Sequence, residues 1–223
     1  MKLVIAAALT SVSMFAVAPA FAADLLIDEP AYMPGVVDVG GKWDGVFIGA
    51  FAGYGWGAFT DDEGLYGPLD ASYDIEGWLA GVAVGANFTV SEAIVAGIVA
   101  DIAWADLAGS DGAIGLSART DWTGSVRGRL GFDGGVFLPY VTAGLAFANN
   151  TITFDDGNNV FEDTNTHIGW MVGAGVEVEV ADNVSLDLLY RYSDFGSQTY
   201  SLSDVSDFGL TSHAASAGIN FKF

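Results

Sequence analysis

The last eleven residues, HAASAGINFKF, constrain the fold more than any other stretch. Ala215, Ala217, Ile219, Phe221 and Phe223 share one parity, and Ala214, Ser216, Gly218, Asn220 and Lys222 share the other. Alternation with a period of two marks a strand with one apolar and one polar face. Seven earlier segments repeat the pattern: WDGVFIGAFAGYGWGAF from Trp43, EGWLAGVAVGANF from Glu76, AIVAGIVADIAWA from Ala93, DWTGSVRGRLGF from Asp121, LPYVTAGLAFA from Leu138, HIGWMVGAGVEVEV from His167 and VSLDLLYRYSD from Val184. No apolar face carries an Asp, Glu, Lys or Arg in its central stretch. The opposite faces hold Gly, Ser, Thr and charges, too polar for a hydrophobic core. The apolar faces are therefore expected to point outward into a bilayer, giving an all-β, eight-stranded antiparallel up-and-down transmembrane barrel over residues 43–223.

The joints fit that topology. Long polar segments follow the first, third, fifth and seventh strands, and the short joints TVSE, DGGV and ADN follow the second, fourth and sixth. The short turns are expected to be periplasmic and the long loops extracellular. Tyr54, Trp56, Trp78, Trp104, Trp122, Trp170, Tyr190 and Tyr192 lie on the apolar parity at the long-loop ends of their strands, with Phe88, Phe132, Phe221 and Phe223 at the other ends. These read as two interfacial aromatic girdles. Phe223 closes the last strand where it can pair with the first, and it is the expected assembly signal for the barrel-assembly machinery. A membrane helix over the uncharged run 134–154 is discounted, because Pro139, three Gly and Asn149-Asn150 interrupt it.

Residues 1–22 read as a secretory signal peptide. Lys2 precedes an apolar stretch that ends in Ala20-Phe21-Ala22. Residues 23–42 read as a periplasmic linker. Without Lys2, six Lys and Arg stand against 28 Asp and Glu, a net charge of −22. That excess argues against nucleic acid as a partner. The chain has no Cys, so lipoprotein anchors, disulfides and thiol chemistry are excluded.

On the polar parity, Asp101, Glu177, Glu179 and Asp187 point inward with Arg127, Arg129, Arg191 and Lys222. An eight-stranded barrel is just wide enough for side chains to fill it, so these groups are expected to form a paired ionic network that plugs the lumen. A narrow conducting or proton path is the functional counterpart of that reading. The remaining acids crowd the loops, among them Asp61, Asp62, Glu63, Asp155, Asp156, Glu162 and Asp163. Bridging divalent cations between such loops and lipopolysaccharide phosphates are one reading, and a solvated acidic loop is the other. An enzyme would have to use His167 or His213. Ser212 and His213 point to opposite faces of a strand, although His213 could approach Asp61 or Asp62 across the seam between the first and last strands.

The segments WDGVFIGAFAGYGWG, WTGSVRGRLGF, LPYVTAGLAFA and GWMVGAGVEVEVADNVSLDLLYRYSDFG, with the final aromatic, resemble the small outer-membrane β-barrel proteins of alphaproteobacteria. That family is labelled porin-family or outer membrane immunogenic protein. Phe51 stands where members commonly carry Asn, and Leu188-Leu189 replace an Ala-Glu pair. The resemblance implies a monomeric barrel in a Gram-negative outer membrane, in contact with its lipids and lipopolysaccharide, with no catalytic residues or cofactor. The favoured function is a structural envelope protein presenting acidic loops. The alternatives are a narrow porin-like channel and a receptor or adhesin for a host or haem-type ligand.

Overall fold

The computed structural model describes residues 41–61, 71–111, 115–155, 157–201 and 205–223. The leader at 1–22, the linker up to residue 40, and Asp62, Glu63 and Asp156 lie outside the described residues, as does the side chain of Asp61. Eight strands form a closed ring in chain order. They are β1 (Gly45–Asp61), β2 (Ala71–Ser91), β3 (Ile94–Asp111), β4 (Leu116–Phe132), β5 (Phe137–Asp155), β6 (Val160–Ala181), β7 (Val184–Ser201) and β8 (Val205–Lys222). Every neighbouring pair is antiparallel, and β8 returns to β1 from Phe47↔Lys222 to Asp61↔Phe208. The Phe223 amide donates to the Val46 carbonyl at 2.9 Å, the last rung of the closure.

Alternation sorts the side chains as expected over the girdled span. Val82, Ile98, Val126, Leu145 and Ile219 face outward and Asp101, Arg127, Arg129 and Glu177 are buried within. Trp78 and Trp104 are 70% and 72% exposed on the outer wall. A contiguous apolar band of this kind is tolerated only against an apolar surrounding.

Two features depart from expectation. First, the long connections are largely strand. β5 and β6 stay paired as far as Asp155↔Val160, and β7 and β8 as far as Ser201↔Val205. The ladder therefore continues well beyond the upper girdle. Second, the inner face does build a hydrophobic core, contrary to the reading that it was too polar. Phe59, Ile75, Leu107, Ile152, Phe195 and Phe208 are among the residues packed there, and Leu107, Ile152, Phe195 and Phe208 come from the stretches that read as polar loops. Outside this core, Asp74, Glu76, Ser110, Arg119, Glu162 and Thr164 face outward and are exposed. Polarity thus inverts with height. Between the girdles the barrel is apolar outside and polar inside; beyond the upper girdle it is polar outside and apolar inside, like a water-soluble barrel.

In β4 a bulge also exchanges the two faces at this level. Thr120 pairs with Asn150 and Trp122 with Asn149, leaving Asp121 as an extra residue against β5. An inserted residue flips the faces. Thr120 is consequently buried while Trp122 joins the outer wall, and Arg119 is exposed although it shares odd parity with the buried Arg127 and Arg129.

Two substitutions test this arrangement in urea titrations of the chain folded into lipid vesicles. Val126→Arg, on the outer wall, should cost about 2–4 kcal/mol as for a basic residue near the midplane. Phe208→Ala, in the upper core, should cost about 3–5 kcal/mol. A loss below about 1 kcal/mol at Phe208 would rule out a packed upper core.

Candidate functional site: the lumen

Inward-facing positions of β3, β4, β6 and β7 deliver the charged groups to the lumen, where they form two buried centres. In the first, Asp101 of β3 forms an ion pair with Arg127 of β4 and accepts Arg191 Nη1 of β7 at 3.2 Å. Ser125 Oγ donates to Asp101 at 2.5 Å and itself accepts Arg127 Nη1 at 2.7 Å. In the second, Arg129 Nη1 meets Glu177 Oε2 at 2.8 Å while its Nε donates to Asn87 Oδ1 at 2.8 Å. Ser185 Oγ and Asn220 Nδ2 both donate to Glu177 Oε1, at 2.5 and 3.0 Å. The Arg129 guanidinium also lies over the Phe47 and Tyr140 rings, 4.9 and 5.2 Å from their centroids. Ion pairing, neutral donors and ring faces together offset the desolvation that buried charge incurs.

Asp101, Arg127, Arg129, Glu177, Asp187 and Arg191 face the lumen, while Glu179 and Lys222 lie at its turn-end rim, and the eight do not form four matched pairs. Asp187 forms no ion pair within 4.0 Å among the described residues; it accepts the Tyr140 hydroxyl at 2.7 Å. Glu179 pairs with Lys42, counted above with the linker, and Lys222 Nζ donates to the Lys42 carbonyl. Residues 41–44 therefore form a built turn under the barrel. Asp44 accepts the Gly41 amide at 2.8 Å and the Thr89 hydroxyl at 2.7 Å, and Trp43 is buried against Val95 and Leu138. The chain then enters β1 through Gly45 at φ +127°, where a Cβ would collide with the Phe223 carbonyl oxygen. Asn87, Ser125, Tyr140, Ser185 and Asn220 were not singled out from the sequence. Their inward parity was the available signal.

Several of the girdle aromatics pack against one another. Tyr54 packs edge-on to Trp78 at 5.3 Å, Trp122 meets Phe147 at 6.0 Å, and Trp170 meets Tyr192 at 5.6 Å. His213 belongs to this belt. It stacks on Trp56 at 5.7 Å and shares a hydrogen bond with Tyr190 Oη at 2.8 Å. On the β1–β8 ladder Asp61 pairs with Phe208, five residues from His213, and its side chain lies outside the described residues. Among the loop acids, Asp155 Oδ1 caps the Gly157 amide at 2.8 Å. Glu162 and Asp163 are sequence neighbours on a strand and point to opposite faces. No group of three His, Asp or Glu is gathered among the described residues.

Cavities along the axis measure about 10, 20 and 30 Å³, comparable to one or two water molecules each. Arg129→Ala should leave Glu177 buried without its cation and lower stability by about 3–5 kcal/mol. Lys42→Ala, at the half-exposed rim, should cost under about 1 kcal/mol. Unfolding midpoints in lipid report both; an unchanged midpoint for Arg129→Ala would reject the network as a structural element.

Over residues 5–223 the chain matches the family model described as outer membrane protein beta-barrel domain. It is 32% identical over 212 residues to the 25 kDa outer-membrane immunogenic protein of Brucella abortus, covering 92% of both chains. It is 34% identical over 185 residues to the 22 kDa outer membrane protein of Rhizobium leguminosarum, covering 82% of this chain and 79% of that one. Among solved structures, Neisserial surface protein A superposes with a TM-score of 0.49 at 19% identity, over 80% of this chain and 97% of that chain. The chain belongs to the outer membrane β-barrel protein family, and it is a protein of the Gram-negative outer membrane.

Proposed function

We propose that this protein is a non-enzymatic structural element of the outer membrane, a closed barrel that anchors in the bilayer and presents acidic hairpins outside the cell. The observation that carries this reading is the filled lumen. Two ionic centres occupy its lower part, an apolar core its upper part, and the axial cavities are of water size. A hydrated ion needs a continuous path several times wider than such cavities. The orientation follows from the short turns, which face the periplasm as in barrels of this type. The Phe223–Val46 bond carries the β1–β8 seam to its end. An exposed Phe223 ring at that end is then available to the assembly machinery.

Two histidines with other engagements weigh against hydrolytic chemistry: His213 is stacked in the girdle, and His167 is buried edge-on to Phe59 at 6.3 Å. Outer-leaflet lipids are the immediate partners of the aromatic belt. Divalent cations between lipopolysaccharide phosphates and the acidic hairpins would relieve the repulsion that a net charge of this size creates.

Planar-bilayer recording of the purified chain tests the proposal. It should give no stepwise conductance above the lipid background. Stable unitary steps would replace the structural reading with a narrow channel.

A further inference from the structure

The three axial cavities share one further property: each is lined by a residue with a buried polar atom that has no hydrogen-bond partner. At the turn end, Trp43 lines the cavity of about 10 Å³, and its indole Nε1 is unpartnered. Arg127 and Arg129 line the middle cavity of about 20 Å³, and Arg127 Nε and Arg129 Nη2 are unpartnered. Thr123 lines the third, of about 30 Å³, and its hydroxyl is unpartnered. Leaving a buried donor unsatisfied is costly, whereas a polar cavity of this size holds water readily. Acceptors stand in the same walls: Glu177 and Glu179 in the first cavity, Asp187 in the second and Ser193 in the third.

The cavities are also ordered. Phe47 lines both the first and second, and Arg191 both the second and third. The first includes the exposed turn residues Asp182 and Asn183, so it communicates with solvent at the turn end. The third is capped by Leu79, Leu107, Met171 and Phe195, members of the upper apolar core.

We propose that the lower lumen binds a short file of ordered water, fed from the periplasmic mouth past Trp43. One water bridges Arg127 Nε and Arg129 Nη2 to the Asp187 carboxylate, and the file stops at the apolar core. In this arrangement the ion pairs are the hydrated part of the barrel and the apolar core is its seal. The proposal rests on the orientation given under the proposed function and goes beyond it, because it names a ligand, its donors and the level of the barrier. Water suits the middle cavity better than a polyatomic anion, since about 20 Å³ leaves room for little more than one water molecule.

Hydroxyl-radical footprinting of the full chain in lipid nanodiscs, with a short X-ray pulse in ¹⁸O-labelled water, provides the test. Labelling is expected at Trp43, Phe47 and Tyr140, all shielded from bulk solvent, with Phe59 and Phe208 untouched. Trp43→Ala should speed ¹⁸O incorporation at Phe47 and Tyr140 and leave Phe59 unlabelled. No label at Tyr140 would overturn the water file while leaving a non-conducting barrel intact. Equal labelling of Phe59 and Phe208 would overturn the apolar seal, and a Trp43→Ala chain that labels like the parent would overturn entry past Trp43. Conductance of the parent chain would instead defeat the structural function and say nothing against the bound water.

Discussion

Hydrocarbon offers no hydrogen-bond partner, so every backbone amide and carbonyl that enters it must be satisfied by another strand. This requirement is met only because β8 returns to β1 along a ladder from Phe47↔Lys222 to Asp61↔Phe208. Closure at eight strands has a second consequence, a narrow interior that side chains fill. Whatever faces inward must therefore pack, and charged groups placed there must find partners. The lumen is a packing problem set by the strand count.

How the interior is filled differs above and below the upper girdle, and alternation explains why. Within the bilayer the outward positions must be apolar. Apolar inward positions as well would turn strands of 17–22 residues into uninterrupted apolar runs of the length that reads as a membrane helix. Polar inward residues prevent that, and the ion pairs of Asp101 and Glu177 are the way to bury them. Beyond the girdle the outer wall meets water and becomes polar, as at Glu76, Arg119 and Thr164. The inward positions are then free to be apolar, and Phe59, Ile75, Ile152 and Phe208 occupy them. The composition of each strand stays alternating throughout; the two faces exchange roles.

Much of this was legible in the residues. Strand count, closure, girdle and the inward set all followed from parity, because a period of two assigns faces without any knowledge of neighbours. What stayed hidden depends on three-dimensional register. Arg119 and Arg127 have the same parity, and only the bulge at Asp121 sends one outward and the other inward. Asp187 was expected to meet an arginine, but Tyr140 of β5 reaches it first, across the barrel and not along a ladder. Lys42 lies just before the first alternating segment, so nothing local showed that its ammonium would close on Glu179. The upper core was missed partly because Leu107, Ile152, Phe195 and Phe208 sit among Asp, Gly and Asn in stretches that resemble loops; their common inward parity is visible only once those stretches are known to be strand.

Stability alone does not explain the ionic centres, since buried ion pairs replaced by well-packed apolar groups are often no less stable. Their retention makes sense as the consequence of a constraint on the strands combined with partial hydration. Arg127 and Arg191 share the single carboxylate of Asp101, and Arg129 divides its contacts among Glu177, Asn87 and two aromatic rings. Such uneven coordination leaves individual N–H groups over, and a dry interior would penalise each of them. Water-sized cavities beside those groups lower that penalty without widening the lumen enough to pass an ion. The upper core buries no ion pair among the described residues; its polar side chains are neutral, with Thr120 donating to Asn150 at 2.5 Å and His167 edge-on to Phe59. A barrel built this way can hold charge at its centre and still be closed, because wetting and sealing are assigned to different levels of the same lumen.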